Sequence, residues 1–148
     1  ATDNGGLSSF YNNQWTNYKT NNSGIPGNIV YSLSKDASGN LLVGTDRGAA
    51  FFNGNNWIVY NYNNSPIPDN NVVKVCIDAF DNMWFVTRYE IFGSSFGNLT
   101  RFNKSEWKTF YRGNSPLPDN MINVITPDVN GDVWIGTENG GLVHLKKL

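Results

Sequence analysis

Few residues in this chain could carry chemistry, and each also has a plain structural reading. His144 is the only histidine and Cys76 the only cysteine among 148 residues. Without a second histidine or a nearby cysteine, His144 reads as an ordinary strand residue rather than a metal ligand or triad member. Cys76 shares its position with Ser34 and Thr126 in the pattern below. That small-residue column suits packing better than an activated thiolate. The stretch Asp128-Val129-Asn130-Gly131-Asp132 begins like a calcium loop. However, such loops need more oxygen ligands, and the matching segments Asp36-Ala37-Ser38-Gly39-Asn40 and Asp78-Ala79-Phe80-Asp81-Asn82 lose ligands while keeping turn character. These are expected to be hairpin turns. No catalytic residue, metal or cofactor is expected.

Aromatic residues are the next candidates, because flat rings with polar neighbours stack on sugars. Trp15, Trp57 and Trp107 recur at one position, and Trp84 and Trp134 share another with Leu42. Rings that recur in register are expected to pack one structural unit on the next. The sequons at Asn21, Asn63, Asn98 and Asn103 carry little information, since the chain has 24 asparagines.

The elements that position these residues follow from internal repetition. Asn22-Ser23-Gly24-Ile25-Pro26-Gly27-Asn28 recurs as Asn64-Ser65-Pro66-Ile67-Pro68-Asp69-Asn70 and as Asn114-Ser115-Pro116-Leu117-Pro118-Asp119-Asn120. The offsets, 42 and 50 residues, also relate Thr45 to Thr87 to Thr137 and Trp15 to Trp57 to Trp107. Each repeat reads as four short strands. The first covers 29–34, 72–77 and 121–126, and an Asp-containing turn follows it. The second covers 41–45, 83–87 and 133–137. The third covers 49–53, 99–103 and 142–145, with 7–11 as a further copy. The fourth covers 57–60, 107–110 and 15–18. Four strands every 40–50 residues predict an all-β fold of antiparallel propeller blades. The extra residues of the middle repeat fall at 88–97 and are expected to lengthen one loop.

Composition agrees. Aromatics reach 14% and charged residues only 16%. Asn and Gly tolerate the left-handed backbone of tight turns, and aromatics suit pleated faces, so an all-α fold is close to excluded. A formal charge of −1 without a basic stripe argues against nucleic acid or an anionic membrane surface. No apolar run approaches the roughly 20 residues of a membrane helix.

Leu117-Pro118-Asp119-Asn120, followed by Asp128-x-x-Gly131-Asp132-Val133-Trp134-Ile135-Gly136-Thr137-x-x-Gly140-Gly141-Leu142, resembles the two-component regulator propeller repeat. The likeness is strong in the third repeat, good in the first and weaker in the second, where Phe85-Val86-Thr87 replaces the usual Ile-Gly-Thr. The resemblance implies a β-propeller of the kind found in extracytoplasmic sensor regions of bacterial hybrid two-component regulators that respond to glycans.

Residues 1–18 read as the third and fourth strands of a partial blade, because 1–7 align with 136–142. Residues 19–62 read as a blade, 63–111 as a blade with the insertion, and 112–148 as a blade lacking its fourth strand. About three blades cannot close a ring that needs about four to eight. Completion is therefore expected from further blades of a parent chain or from homo-oligomerisation, with the strand 14–18 of one copy completing the last blade of another.

Binding residues are best sought where the repeats differ. Loops after the second and fourth strands emerge on one face, which carries Asp46, Arg47, Arg88, Tyr89, Glu90, Phe92, Phe96, Glu138 and Asn139. These are the candidate ligand-binding residues. The expected function is non-enzymatic: an extracytoplasmic, periplasmic or secreted propeller segment that binds a glycan, another small ligand or a partner. The alternative is a small secreted lectin-like or structural protein that completes its propeller by self-assembly.

Overall fold

In the computed structural model, residues 4–147 are described. The reading of residues 1–3 as the end of a second strand therefore lies outside the described residues. Each repeat begins at its Pro-containing turn, where side chains replace backbone hydrogen bonds in the same way three times. The Oδ1 of Asn22, Asn64 and Asn114 accepts from the N–H of Lys19, Asn61 and Tyr111 at 2.7, 2.8 and 2.9 Å. Their Nδ2 groups donate to the carbonyls of Asn17, Val59 and Thr109, each at 2.9 Å. Ser23, Ser65 and Ser115 donate to the carbonyls of Lys19, Asn61 and Tyr111. Asn28, Asn70 and Asn120 accept from the N–H of Thr20, Tyr62 and Arg112. The apolar residue of each turn, Ile25, Ile67 or Leu117, is buried. This pattern of Asx-type capping explains why the motif is rich in Asn and Ser, which can substitute for backbone partners.

Thirteen strands are present among the described residues. The first sheet is the hairpin β1 (Leu7–Tyr11) and β2 (Gln14–Tyr18). Next come β3 (Val30–Lys35), β4 (Leu41–Thr45), β5 (Gly48–Phe52) and β6 (Trp57–Tyr60) in sequential order. A second four-stranded sheet holds β7 (Val72–Ile77), β8 (Met83–Ile91), β9 (Ser94–Phe102) and β10 (Trp107–Phe110). The last contains β11 (Ile122–Pro127), β12 (Val133–Thr137) and β13 (Leu142–Leu145). Among the described residues every pairing is antiparallel, and the sheets do not close into a ring. The register slips at the same repeat position in each first strand, between Val30 and Ser32, Val72 and Lys74, and Ile122 and Val124.

Adjacent sheets lock through their faces. Ser32 and Ser34 of β3 accept from the N–H of Val75 and Ile77 of β7 at 3.1 and 3.0 Å. Leu42, Ala49, Ile67, Val72, Val75 and Phe85 form one buried layer between these sheets. Val86, Leu99, Ile122, Ile125 and Ile135 form the next. Burying each large side chain contributes about 1.5–3 kcal/mol. Trp57 stacks on Phe52 at 4.5 Å and meets Tyr18 of the preceding sheet at 5.7 Å. Trp107 repeats this with Phe102 at 4.3 Å and Tyr60 at 5.5 Å. The packing expected of these rings is present for Trp57, Trp107 and the buried Trp84.

Three expectations need correction. Trp15 is 69% exposed and touches Phe10 at 4.9 Å, because among the described residues no sheet covers that side of its hairpin. Trp134 is likewise 38% exposed: its equivalents Leu42 and Trp84 are buried against the following sheet, and among the described residues no sheet packs on that side of β12. The insertion at 88–97 is not a loop: β8 and β9 stay paired from Met83↔Phe102 to Ile91↔Ser94, so the extra residues lengthen a hairpin. Its tip, Phe92-Gly93, has φ of 49° and 77°, the left-handed pair that a two-residue hairpin turn demands.

Gly44 marks a close approach between blades, since a Cβ there would lie 2.6 Å from the Val72 carbonyl oxygen. Gly44→Ala is therefore expected to lower stability by about 1–3 kcal/mol, read as a fall in the urea midpoint with unchanged far-UV circular dichroism. An unshifted midpoint would show that the sheets can separate there at no cost.

Candidate functional site

The face chosen from sequence is built by the turns between second and third strands resting on the Pro turns. The N–H groups of Asp46, Arg88 and Glu138 donate to the carbonyls of Ile29, Asn71 and Met121 at 3.3, 3.0 and 2.8 Å. Those acceptors are themselves 42 and 50 residues apart. The three candidates thus occupy one repeated backbone position with different side chains, which is how a rigid scaffold varies its surface.

What each side chain does there differs. Asp46 and Arg47 form a loose ion pair at 3.6 Å and, with Asn4, Thr20, Asn28 and Ile29, line a cavity of about 400 Å³. The Oδ1 of Asp46 is buried without a hydrogen-bond partner among the described residues. Arg88 reaches the following blade, its Nη2 donating to the Ile122 carbonyl at 3.2 Å and to Asn123 Oδ1 at 3.3 Å. This makes Arg88 a clamp between sheets. Tyr89 and Phe96 are cross-strand partners stacked at 5.6 Å and 19°. Glu90 is exposed on the same hairpin, and Phe92 stands fully exposed at its tip beside Ile91. The backbone N–H of Asn139 donates to Asp119 Oδ2 at 2.9 Å, and Glu138 faces solvent. Of the nine candidates, Asp46 and Arg47 line this cavity together, Arg88 bonds to the next blade, and Tyr89 and Phe96 stack on each other.

Lengthening the hairpin has a local electrostatic consequence. Thr45 and Thr137 donate their hydroxyls to the carbonyls of Gly48 and Gly141, closing a tight turn. Thr87 lies mid-strand, paired with Asn98, and its buried hydroxyl has no such partner among the described residues. Sequence reading treated the threonines as a bare landmark and missed this closing role.

Sequence reasoning also passed over the opposite end of the blades. A cavity of about 430 Å³ opens there between the two four-stranded sheets, lined among others by Asp36, Asn40, Phe51, Tyr60, Phe102 and Lys104. Burial raises the Tyr60 phenol above its usual range, so it remains a neutral hydrogen-bonding group. The Lys104 ammonium pairs with Asp81 at 2.8 Å on this rim. Cys76 is buried with its thiol pushed far up by burial and by the nearby Asp78 carboxylate, as suits an inert packing residue.

Two segments of the sequence, residues 24–47 and 116–139, match the family model described as the two component regulator propeller. Each of these two segments carries a two-component regulator propeller repeat. The matched segments are the first and third repeats, where the motif is best kept. No curated protein is significantly similar to the chain in sequence. Among solved structures, the extracellular domain of a hybrid two-component system from B. thetaiotaomicron is similar at a TM-score of 0.62 and 21% identity, over 82% of this chain and 16% of that one. PorZ, a surface component of the type-IX secretion system of Porphyromonas gingivalis, is similar at 0.69 and 21%, over 95% and 22%. Virginiamycin B lyase from Staphylococcus aureus is similar at 0.52 and 20%, over 78% and 40%. The chain spans less than half of each of these proteins, and at such identities the likeness is one of fold: regulators, a secretion component and an enzyme share these blades.

Asp119 offers a pH test of how this face is held. The Met121 N–H, then the Asn139 N–H, hold its carboxyl below the ordinary aspartate range. Its stabilising contribution is thus present above the unfolded value of about 3.9 and is lost as pH falls through the lower folded value. Asp119→Asn is expected to lower the urea midpoint at neutral pH, with the deficit shrinking at about pH 3. A deficit independent of pH would show that the carboxylate charge plays no part.

Proposed function

We propose that this chain is a non-enzymatic segment of an extracytoplasmic propeller that binds a ligand or partner through the face bearing the long hairpin, within a sensor of two-component type responding to glycans. The observation that carries this reading is the hairpin tip. Phe92 is fully exposed in a left-handed conformation that bulky residues avoid, with Ile91 48% exposed and Phe96 37% exposed beside it. Solvated apolar side chains held on a rigid β-extension offer contact area at little entropic cost. Lone carboxylates on this face, without a paired acid and base, favour binding over hydrolysis. The extracytoplasmic setting is supported by the repeat family and by the sensor domain among the similar folds.

Tyr89→Ala should weaken binding of a glycan found by array screening about tenfold or more while leaving the circular dichroism spectrum unchanged. Unaltered titrations would remove the hairpin from the binding surface.

A second reading, completion of the propeller by self-assembly, is favoured by one groove. Phe110, Pro116, Leu117, Val143 and Leu145 line an apolar hollow of about 330 Å³ beside β13. In the two four-stranded sheets the matching hollow is filled by Trp57 or Trp107. The exposed Trp15 of a second copy has the right side chain for it. Light scattering should then give twice 16.5 kDa for the native chain and a monomer for Trp15→Ala. A monomeric native chain would exclude this reading.

A further inference from the structure

The third repeat departs from its siblings at two positions that the fold brings together. In the first two repeats the turn aspartate is held by an asparagine amide: Asn40 Nδ2 donates to Asp36 Oδ2, and Asn82 Nδ2 to Asp78 Oδ2, each at 2.7 Å. In the third repeat that asparagine is Asp132. A carboxylate has no hydrogen to give, so Asp128 loses this donor and two acceptors stand side by side.

The second departure lies across the sheet. The residues paired with Leu42, Trp84 and Trp134 are Phe51, Arg101 and His144. Only in the third repeat does this column supply a metal-coordinating imidazole, and it does so beside the doubled carboxylate. His144 Nε2 lies 2.8 Å from Asp132 Oδ2, and its ring lies flat on Trp134 at 4.1 Å and 2°. Donor atoms of Asp128, Asp132 and His144 all fall within 4.8 Å of one another.

We propose that Asp128, Asp132 and His144 form a site for a first-row divalent cation of the zinc class. Bonds of about 2.0–2.2 Å in a tetrahedral shell place donors about 3.3–3.6 Å apart, so the widest pair must close by about 1.2–1.5 Å, within reach of side-chain rotation. The side chains are already aimed. The N–H groups of Asn130 and Asp132 fix Asp128 Oδ1, the Lys147 N–H fixes Asp132 Oδ1 at 2.7 Å, and Trp134 fixes the imidazole plane. Neither carboxylate pairs with a lysine among the described residues, and the Lys147 ammonium sits instead over the Phe80 ring at 3.6 Å. Two carboxylates with one imidazole suit Zn²⁺, Co²⁺ or Mn²⁺ better than Ca²⁺ or Mg²⁺, which take oxygen shells. Three protein ligands leave further positions to water. Consecutive residues could not reveal the site, because its third ligand comes from another strand; the reading of 128–132 as a plain turn and of His144 as an isolated histidine omitted their pairing.

The single histidine makes the test direct, since its imidazole nuclear magnetic resonance signals need no assignment. Zn²⁺ added to the full chain should shift them saturably with one equivalent, and Co²⁺ should give visible absorption of the same stoichiometry. Asp132→Asn restores the arrangement of the sibling repeats and is expected to fold, and Asp128→Asn keeps an acceptor for the turn amides. Each should weaken binding about tenfold or more with an unchanged amide spectrum. Histidine signals that do not move at millimolar Zn²⁺, or equal affinity in both variants, would overturn the proposal.

Discussion

The architecture depends on a substitution of side chain for backbone. Between the fourth strand of one blade and the first strand of the next, the chain must reverse without a ladder to satisfy its amides, and an unpaired buried amide is costly. Asn22, Asn64 and Asn114 meet that need by accepting from one backbone group and donating to another, a double role open to an amide but closed to a carboxylate. The serine that follows and the asparagine six residues on complete the turn. With the turn fixed, its Ile or Leu is driven inward, and the first strand of the next sheet starts at a set height and angle. The spacing of blades, and with it the surface of the variable turns, follows from this one motif.

Much of this was legible in the sequence because repetition converts a local pattern into a constraint. One Asn-Ser-x-x-Pro turn would be a loop; three in register with Trp and Thr landmarks define a blade. Strand order and the four-stranded unit followed from that alone. The polar roles inside the turn were not legible, since asparagine excess is equally compatible with turns of many types. Context decided the fate of the tryptophans: Trp15, Trp57 and Trp107 are equivalent in sequence, yet Trp15 is exposed because burial depends on a neighbouring sheet rather than on the residue. The insertion was misread for a related reason. Alternation in Arg88-Tyr89-Glu90-Ile91 is that of a strand, but its Gly and Ser content resembles a loop, and hydrogen bonding across the hairpin settled the matter.

The candidate face illustrates the difference between sharing a surface and sharing a site. Its residues were chosen because the repeats differ there, and the structure places Asp46, Arg88 and Glu138 at one repeated backbone position. That shared position is used differently in each blade, Asp46 lining a cavity with Arg47 and Arg88 bonding to the next blade. A residue on this face therefore acts within its own turn, as Asp46 does, or by bridging to the next blade, as Arg88 does.

Departures from the repeat within a sheet have a different consequence. Residues that pair across adjacent strands are held within reach of one another by the ladder, so two coincident changes there create a new local environment rather than two separate ones. At Asp132 and His144 the ladder and the turn act together: one presents an imidazole, the other replaces an amide donor by a second acceptor. At the two positions that changed, the first two blades have no carboxylate and no imidazole, with Asn40 and Phe51 in one and Asn82 and Arg101 in the other. Repetition thus does more than specify the blade. It provides, inside one chain, the reference against which a chemically distinct position stands out, and by that measure the third blade is where this scaffold has changed its chemistry most.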